Sequence, residues 1–134
     1  MEEQEQSKTI LLVEDDDTNR KLVRVILRGK RYRILEAESA EQALAMLRDD
    51  KPDLLLLDIR LGESSGLEVV RAIRADPAFD EVPVVAITAQ AMKNDESRFL
   101  AAGFDGYLSK PLDTRQLPEV VEHFLRKGRR AGHA

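Results

Sequence analysis

The chain predicts one α/β domain: a parallel β-sheet with helices on both faces. Five short apolar runs alternate with five longer segments of helical spacing, the rhythm of strand–helix–strand crossovers. Apart from a weak alternation in the second, the apolar runs lack clean in-and-out alternation, as strands covered on both faces do. At 134 residues, 43% of them hydrophobic, the chain fills one core and not two.

The first run, Thr9–Val13 (TILLV), leads into a helix over 18–28. There Leu22, Val23, Ile26 and Leu27 share a face, while Arg20, Arg24 and Arg28 line another. Tyr32–Leu35 is the second strand. In the helix over 39–48, Ala43, Leu44 and Leu47 point inward, and Ser39 serves as N-cap with Gln42 three residues on. Asp53–Leu57 (DLLLL) is the third strand, followed by a helix over 65–75 that buries Leu67, Val70 and Ile73. Val82–Ile87 is the fourth, with Pro83 near its start, where a missing donor is tolerated. A helix over 91–102, a short strand Tyr107–Leu108 and a helix over 113–127 complete the pattern. The last helix turns Leu117, Val120, Val121, Phe124 and Leu125 inward. Gly29, Pro52, Gly62, Pro77, Gly103 and Pro111 punctuate the elements. The expected domain spans 8–126, with 1–7 and 127–134 as flexible tails and no room for an output domain.

Composition removes several function classes. No apolar run approaches the ~18 residues of a membrane span, and the opening MEEQEQSK is acidic, unlike a signal peptide. A cytoplasmic protein without a membrane partner is expected. Zero cysteines exclude a disulfide framework, a thiol nucleophile and a zinc–thiolate cluster. Two histidines, His123 and His133, are too few for a multi-histidine metal site. The net charge of −4 argues against nucleic-acid binding. It hides an asymmetry: residues 20–33 carry seven basic side chains and no acid. That stretch reads either as a solvated helix face or as a docking surface for an acidic partner, with Arg20, Arg24 and Arg28 foremost.

In a sheet of this type, ligands bind outside the carboxyl ends of the strands. Glu14, Asp15, Asp16 and Asp17 follow strand one, Asp58 follows four leucines, Thr88 and Ala89 end strand four, and Ser109, Lys110 and Pro111 follow strand five. One edge therefore collects carboxylates, a hydroxyl and an ammonium. Crowded carboxylates repel unless a cation neutralises them, and Mg²⁺ favours oxygen ligands. The set suits metal-assisted phosphoryl transfer, with one carboxylate as nucleophile and the lysine and hydroxyl neutralising transferred oxygens. Taken singly, each residue has a plainer reading: Asp58 as a strand end, Asp17 as a helix cap, Thr88 as a β-former, Lys110 as a surface charge.

The ordered set ILLVEDD, PDLLLLD, AITA and YLSKP closely resembles the receiver domain of two-component response regulators, from about Lys8 to Arg126. The resemblance implies a flavodoxin-like (βα)5 doubly wound sheet of strand order 2-1-3-4-5. It implies that Asp58 accepts a phosphoryl group from a phosphohistidine on a sensor histidine kinase or histidine phosphotransfer protein. It implies Mg²⁺ (or Mn²⁺) held by Glu14, Asp15, Asp58 and the backbone carbonyl of Arg60. Lys110 is then the conserved-type lysine, Thr88 the switch hydroxyl and Tyr107 the switch aromatic. Tyr107 also fits ordinary packing, as the only large aromatic near strand five. Asn19-Arg20 and the stretch AITAQAMKNDESRFLAAGFDGYLSKPL look like single-domain DivK-like regulators or receivers of hybrid kinases. Gly62 stands where many receivers have proline, Arg60 replaces the usual hydrophobic residue two after the acceptor, and Gln90 lies two after the threonine. The glycine implies a more mobile loop beyond Asp58, and Arg60 and Gln90, which flank the phosphorylation site in the family, imply an altered acyl-phosphate lifetime. Two other functions fit the same residues, a phosphorylation-independent adaptor and a small phosphohydrolase of similar topology. The short loops, with no insertion to enclose a substrate, weigh against the second.

Overall fold

A computed structural model describes residues 7–61, 64–89 and 95–129. Its main elements are β1 (Lys8–Val13), α1 (Asp17–Ile26), β2 (Tyr32–Ala37), α2 (Ala40–Asp49), β3 (Leu54–Asp58), α3 (Gly66–Arg74), β4 (Val84–Thr88), α4 (Asp95–Ala102), β5 (Gly106–Ser109) and α5 (Gln116–Lys127). The five strands are parallel and lie in the order β2-β1-β3-β4-β5, the flavodoxin-like arrangement. A two-residue antiparallel ladder, Arg60–Leu61 with Ser64–Ser65, follows β3, and a single 3-10 turn, Pro77–Phe79, follows α3.

Period-two side-chain direction explains why the strands read as unbroken apolar runs. Leu11, Val13, Leu55, Leu57, Val84 and Ala86 face one way and pack under α2 and α3 with Phe104. Ile10, Leu12, Leu54, Leu56, Val85 and Ile87 face the other way and pack under α1 and α5 with Leu108. All five residues of β3 are buried, including Asp58 at its end. A strand between two helix layers can carry leucine at every position, because neither face meets water.

Local chemistry sets the helix starts. Ser39 caps α2, its hydroxyl accepting from the Gln42 amide. The reciprocal bond of the capping box lands one residue early: Gln42 Oε1 accepts from the Glu38 amide at 2.7 Å. At α1 the cap is Asp16, whose side chain accepts from the Thr18 amide, and Asp17 lies inside the first turn instead of capping it. The last helix begins at Gln116, three residues later than its periodicity suggests. Asp113 Oδ1 collects the Arg115 and Gln116 amides ahead of it, and those two bonds hold the Asp113 carboxyl below its ordinary range.

The far end of the domain corrects the expected tail. Gly128 turns the chain with φ +73°, and Arg129 folds back onto Asp105, Nε to Oδ1 2.9 Å, while also donating to the Asp80 carbonyl. Asp105 is a buried carboxylate that also accepts from Arg74 and from the Val84 amide. Two guanidiniums and an amide satisfy it, so Arg129 belongs to the folded body and not to a tail.

One glycine is required by close approach. A Cβ on Gly66 would sit 2.4 Å from the Asp58 carbonyl oxygen, so the first turn of α3 lies directly on the end of β3. The Gly66 amide also donates to the Ile59 carbonyl at 2.8 Å. Gly66→Ala is expected to destabilise the domain by about 1–3 kcal/mol despite alanine's better helix propensity, because backbone must move to admit the methyl. Urea unfolding checks this; an unchanged midpoint would show that α3 is not pinned to β3 here.

Candidate functional site

Strand register builds the site. Val13 pairs with Leu57, Asp58 with Ile87, and Thr88 with Ser109, so the carboxyl ends of β1, β3, β4 and β5 come level at one edge. β1 and β3 are neighbours although β2 lies between them in sequence. The connections leaving them therefore diverge to opposite faces, opening a crevice at this edge.

Lys110 occupies the crevice. Its Nζ is 3.0 Å from Asp58 Oδ2 and 3.3 Å from Glu14 Oε1. The Lys110 amide donates to the Thr88 carbonyl at 2.8 Å, prolonging the β4–β5 pairing and delivering the side chain to this place. Asp58 Oδ1 accepts from the Arg60 amide at 3.0 Å, so both carboxylate oxygens have donors. Glu14 Oε2 accepts from the Asp16 amide at 3.2 Å. Glu14 and Asp58 are almost fully buried, whereas Asp15 is exposed.

Burial and crowding set the electrostatics. Desolvation, then the hydrogen bond to Asp58 and its charge, push the Glu14 carboxyl up to about 7. Burial by itself would lower the Lys110 pKa, but the hydrogen bond and charge of Asp58, joined by Glu14, outweigh it and raise the lysine. The ammonium of Lys110 is thus held charged, and Glu14 gives up its proton less readily than a free carboxyl.

Glu14, Asp15 and Asp58 can each place one carboxylate oxygen so that all three lie within 4.8 Å of one another. Three hard oxygen donors at that spacing, two of them buried, fit a divalent cation of the Mg²⁺ type. Beside them is a cavity of about 330 Å³ lined by Asp58, Ile59, Arg60, Thr88, Ala89, Arg98, Phe99 and Lys110. A larger groove, about 700 Å³ between α2, α3 and the Pro77–Phe79 turn, contains none of the predicted site residues.

Glu14, Asp15, Asp58, Arg60, Thr88 and Lys110 therefore come together at one edge. Arg60 enters through its amide. Tyr107 leans on Phe99, ring centroids 5.8 Å apart, and Phe99 in turn meets Phe104 edge-on. Tyr107 is thus one of an aromatic group at β5 and not a lone large ring there. Gly62 and Gln90 lie outside the described residues.

The expected arginine row needs correction. Arg28 is exposed at the end of α1, and Arg24 is exposed but bonded to Glu36 at 2.6 Å. Arg20 is buried, turned toward Glu14, Asp17, Glu36 and Glu38. Arg20 and Arg24 lie one turn apart on α1, and Glu36 of β2 with Glu38 just after it comes against the first turn.

A flavodoxin-like sheet with a carboxylate–lysine crevice at its carboxyl edge defines a receiver-type signalling domain. This chain belongs to the response regulator receiver domain family, whose model matches residues 10–122. It is 38% identical over 119 residues to the polar-differentiation response regulator DivK of Brucella ovis, an alignment spanning 89% of this chain and 97% of that one. A crystal structure of a putative response regulator from Chloroflexus aurantiacus superposes with a TM-score of 0.85 at 30% identity, covering 91% of this chain and all of the other. The receiver domain of a sensor histidine kinase from Pseudomonas aeruginosa, crystallised with a magnesium ion coordinated in its active-site cleft, gives 0.81 at 31% identity. It covers 91% of this chain and 100% of its own. Among the described residues, no helix is long and apolar enough to cross a membrane.

The raised Glu14 predicts a pH dependence in metal-free protein. Between about 4.5 and about 7 the folded state binds more protons than the unfolded one, so stability declines as pH rises through that window. In Glu14→Gln the decline should flatten. Urea midpoints measured in chelator across the window check this, and parallel slopes in the two proteins would contradict it.

Proposed function

We propose that the chain is a response regulator receiver whose Asp58 takes a phosphoryl group from a phosphohistidine of a sensor histidine kinase or histidine phosphotransfer protein. The observation that carries the reading is the placement of Asp58: buried at the end of β3, held at one oxygen by the Arg60 amide and at the other by Lys110. An Asp58 oxygen attacks phosphorus; the new O–P bond forms as the N–P bond breaks, and the imidazole nitrogen leaves with its electron pair.

Glu14, Asp15, Asp58 and the Arg60 carbonyl would hold Mg²⁺, or Mn²⁺, which when bound supplies positive charge to the phosphoryl oxygens. The magnesium site of the Pseudomonas relative supports that assignment. Lys110 lies within reach of an Asp58 oxygen and neutralises part of the charge of about −1.5 to −2 that a phosphoryl group adds. Thr88 lines the cavity beside Asp58, where its hydroxyl can donate to a phosphoryl oxygen. Thr88 and Tyr107 then act as the switch. A hydroxyl drawn toward the phosphate makes room at β4, Tyr107 turns inward from its contact with Phe99, and the surface of α4, β5 and α5 changes for a downstream protein.

The domain is a signalling phosphoacceptor and not a turnover enzyme. The work is cytoplasmic, with protein partners and no membrane or nucleic acid. Docking of the phosphodonor along α1 uses Arg24 and Arg28, which are exposed, and not Arg20.

Incubation with acetyl phosphate tests the reading by intact mass. Wild type should gain one phosphoryl group in Mg²⁺ and none in chelator, and Asp58→Asn should gain none in either. Metal-independent labelling, or labelling that survives the substitution, would refute it.

A further inference from the structure

Arg20 is a cation turned inward from a surface helix, its side chain 8% exposed. All three guanidinium nitrogens are engaged. One terminal nitrogen donates to the Glu14 backbone carbonyl at 2.8 Å. The other bonds Asp17 and lies 3.6 Å from Glu38 Oε2. The Nε is 3.3 Å from Glu36 Oε1, and Glu36 is itself gripped by Arg24.

The bond to Glu14 is made to its backbone, not its carboxylate, and that determines what it does. The Glu14 amide already donates to the Ala37 carbonyl of β2 at 3.0 Å. With its carbonyl held by Arg20, the Glu14 backbone is held on both sides of its Cα, by β2 and by α1. The Glu14 carboxylate and the following Asp15 therefore leave the corner in a set direction, toward Asp58 and Lys110. The Asp16 amide closes the corner by donating to Glu14 Oε2. Without Arg20, the Glu14 carbonyl would lose its guanidinium donor.

We propose that Arg20 is a positioning residue for the acidic pair: it holds the β1–α1 corner so that Glu14 and Asp15 present their oxygens to a divalent cation beside Asp58. The inference rests on the metal reading given above. A planar fork is required, because a lysine ammonium cannot serve the Glu14 carbonyl, Asp17 and Glu36 from one point. Such outer partners of metal-ligating groups commonly change affinity 10–100-fold when removed.

The test follows backbone amide resonances during Mg²⁺ titration of the full chain, in wild type, Arg20→Gln, Arg20→Lys and Glu36→Gln. Arg33→Gln is the control, since Arg33 pairs with Asp50 on the surface. The same samples, metal-free, give hydrogen exchange at the Asp16 amide. Both Arg20 variants should bind Mg²⁺ at least about tenfold more weakly and lose Asp16 protection. Glu36→Gln should do so in smaller measure, and Arg33→Gln should match wild type. Should Arg20→Gln fail to fold, Arg20→Lys and Glu36→Gln carry the test. Wild-type affinity and protection in the Arg20 variants, with only a lower unfolding midpoint, would reduce Arg20 to a structural role and overturn the proposal. Absence of Mg²⁺ binding in wild type would instead refute the metal reading. The exchange data would then decide alone, and unchanged Asp16 protection would overturn the positioning role.

Discussion

A single ammonium group holds the site together. Lys110 Nζ lies within 3.3 Å of two carboxylates, Glu14 and Asp58, that arrive from different strands and are nearly excluded from water. Without it their mutual repulsion in a poorly solvated crevice would force one to stay protonated. Even with it, Glu14 titrates near neutrality. That residual strain is a usable property. Added positive charge beside Glu14, Asp15 and Asp58 would relieve that crowding.

The fold brings these three groups to one place through strand register. Because β1 and β3 sit side by side, Val13 and Leu57 are level, and the residues that follow them, Glu14 and Asp58, emerge together. β5 supplies the lysine two strands away, carried there by the Thr88–Ser109 pairing and the Lys110 amide bond that extends it. Rigidity comes from the two apolar layers, which leave the strands no freedom to slide without exposing a row of leucines. Gly66 adds a local constraint: only a residue without a side chain lets α3 begin against the Asp58 carbonyl.

Much of this was readable from residue order. Four leucines ending in an aspartate mark a doubly buried strand that terminates at a polar edge, and the same logic places Glu14, Thr88 and Lys110 at that edge. Ser39 with Gln42 marks a helix start because capping is local chemistry. What escaped was non-local. An arginine at helical spacing looks the same whether water or Glu36 of the next strand and Glu38 just beyond it lie over it, so Arg20 reads as a surface charge. Arg129 looked like tail because its partner, Asp105, is 24 residues away. The start of α5 was placed early because Asp113 binds the first amides from outside the helix. Gly66 gave no signal beyond being a glycine; its need is set by a carbonyl oxygen eight residues back.

The central claim is that chemistry converges on one carboxylate. Borohydride reduction of the acid-denatured, phosphodonor-treated protein converts an aspartyl phosphate to homoserine, and peptide sequencing by mass locates it. The account predicts homoserine at position 58 and at no other aspartate, Asp15 and Asp16 included. Homoserine at either of those neighbours, or none anywhere in protein that has gained a phosphoryl group, would contradict it.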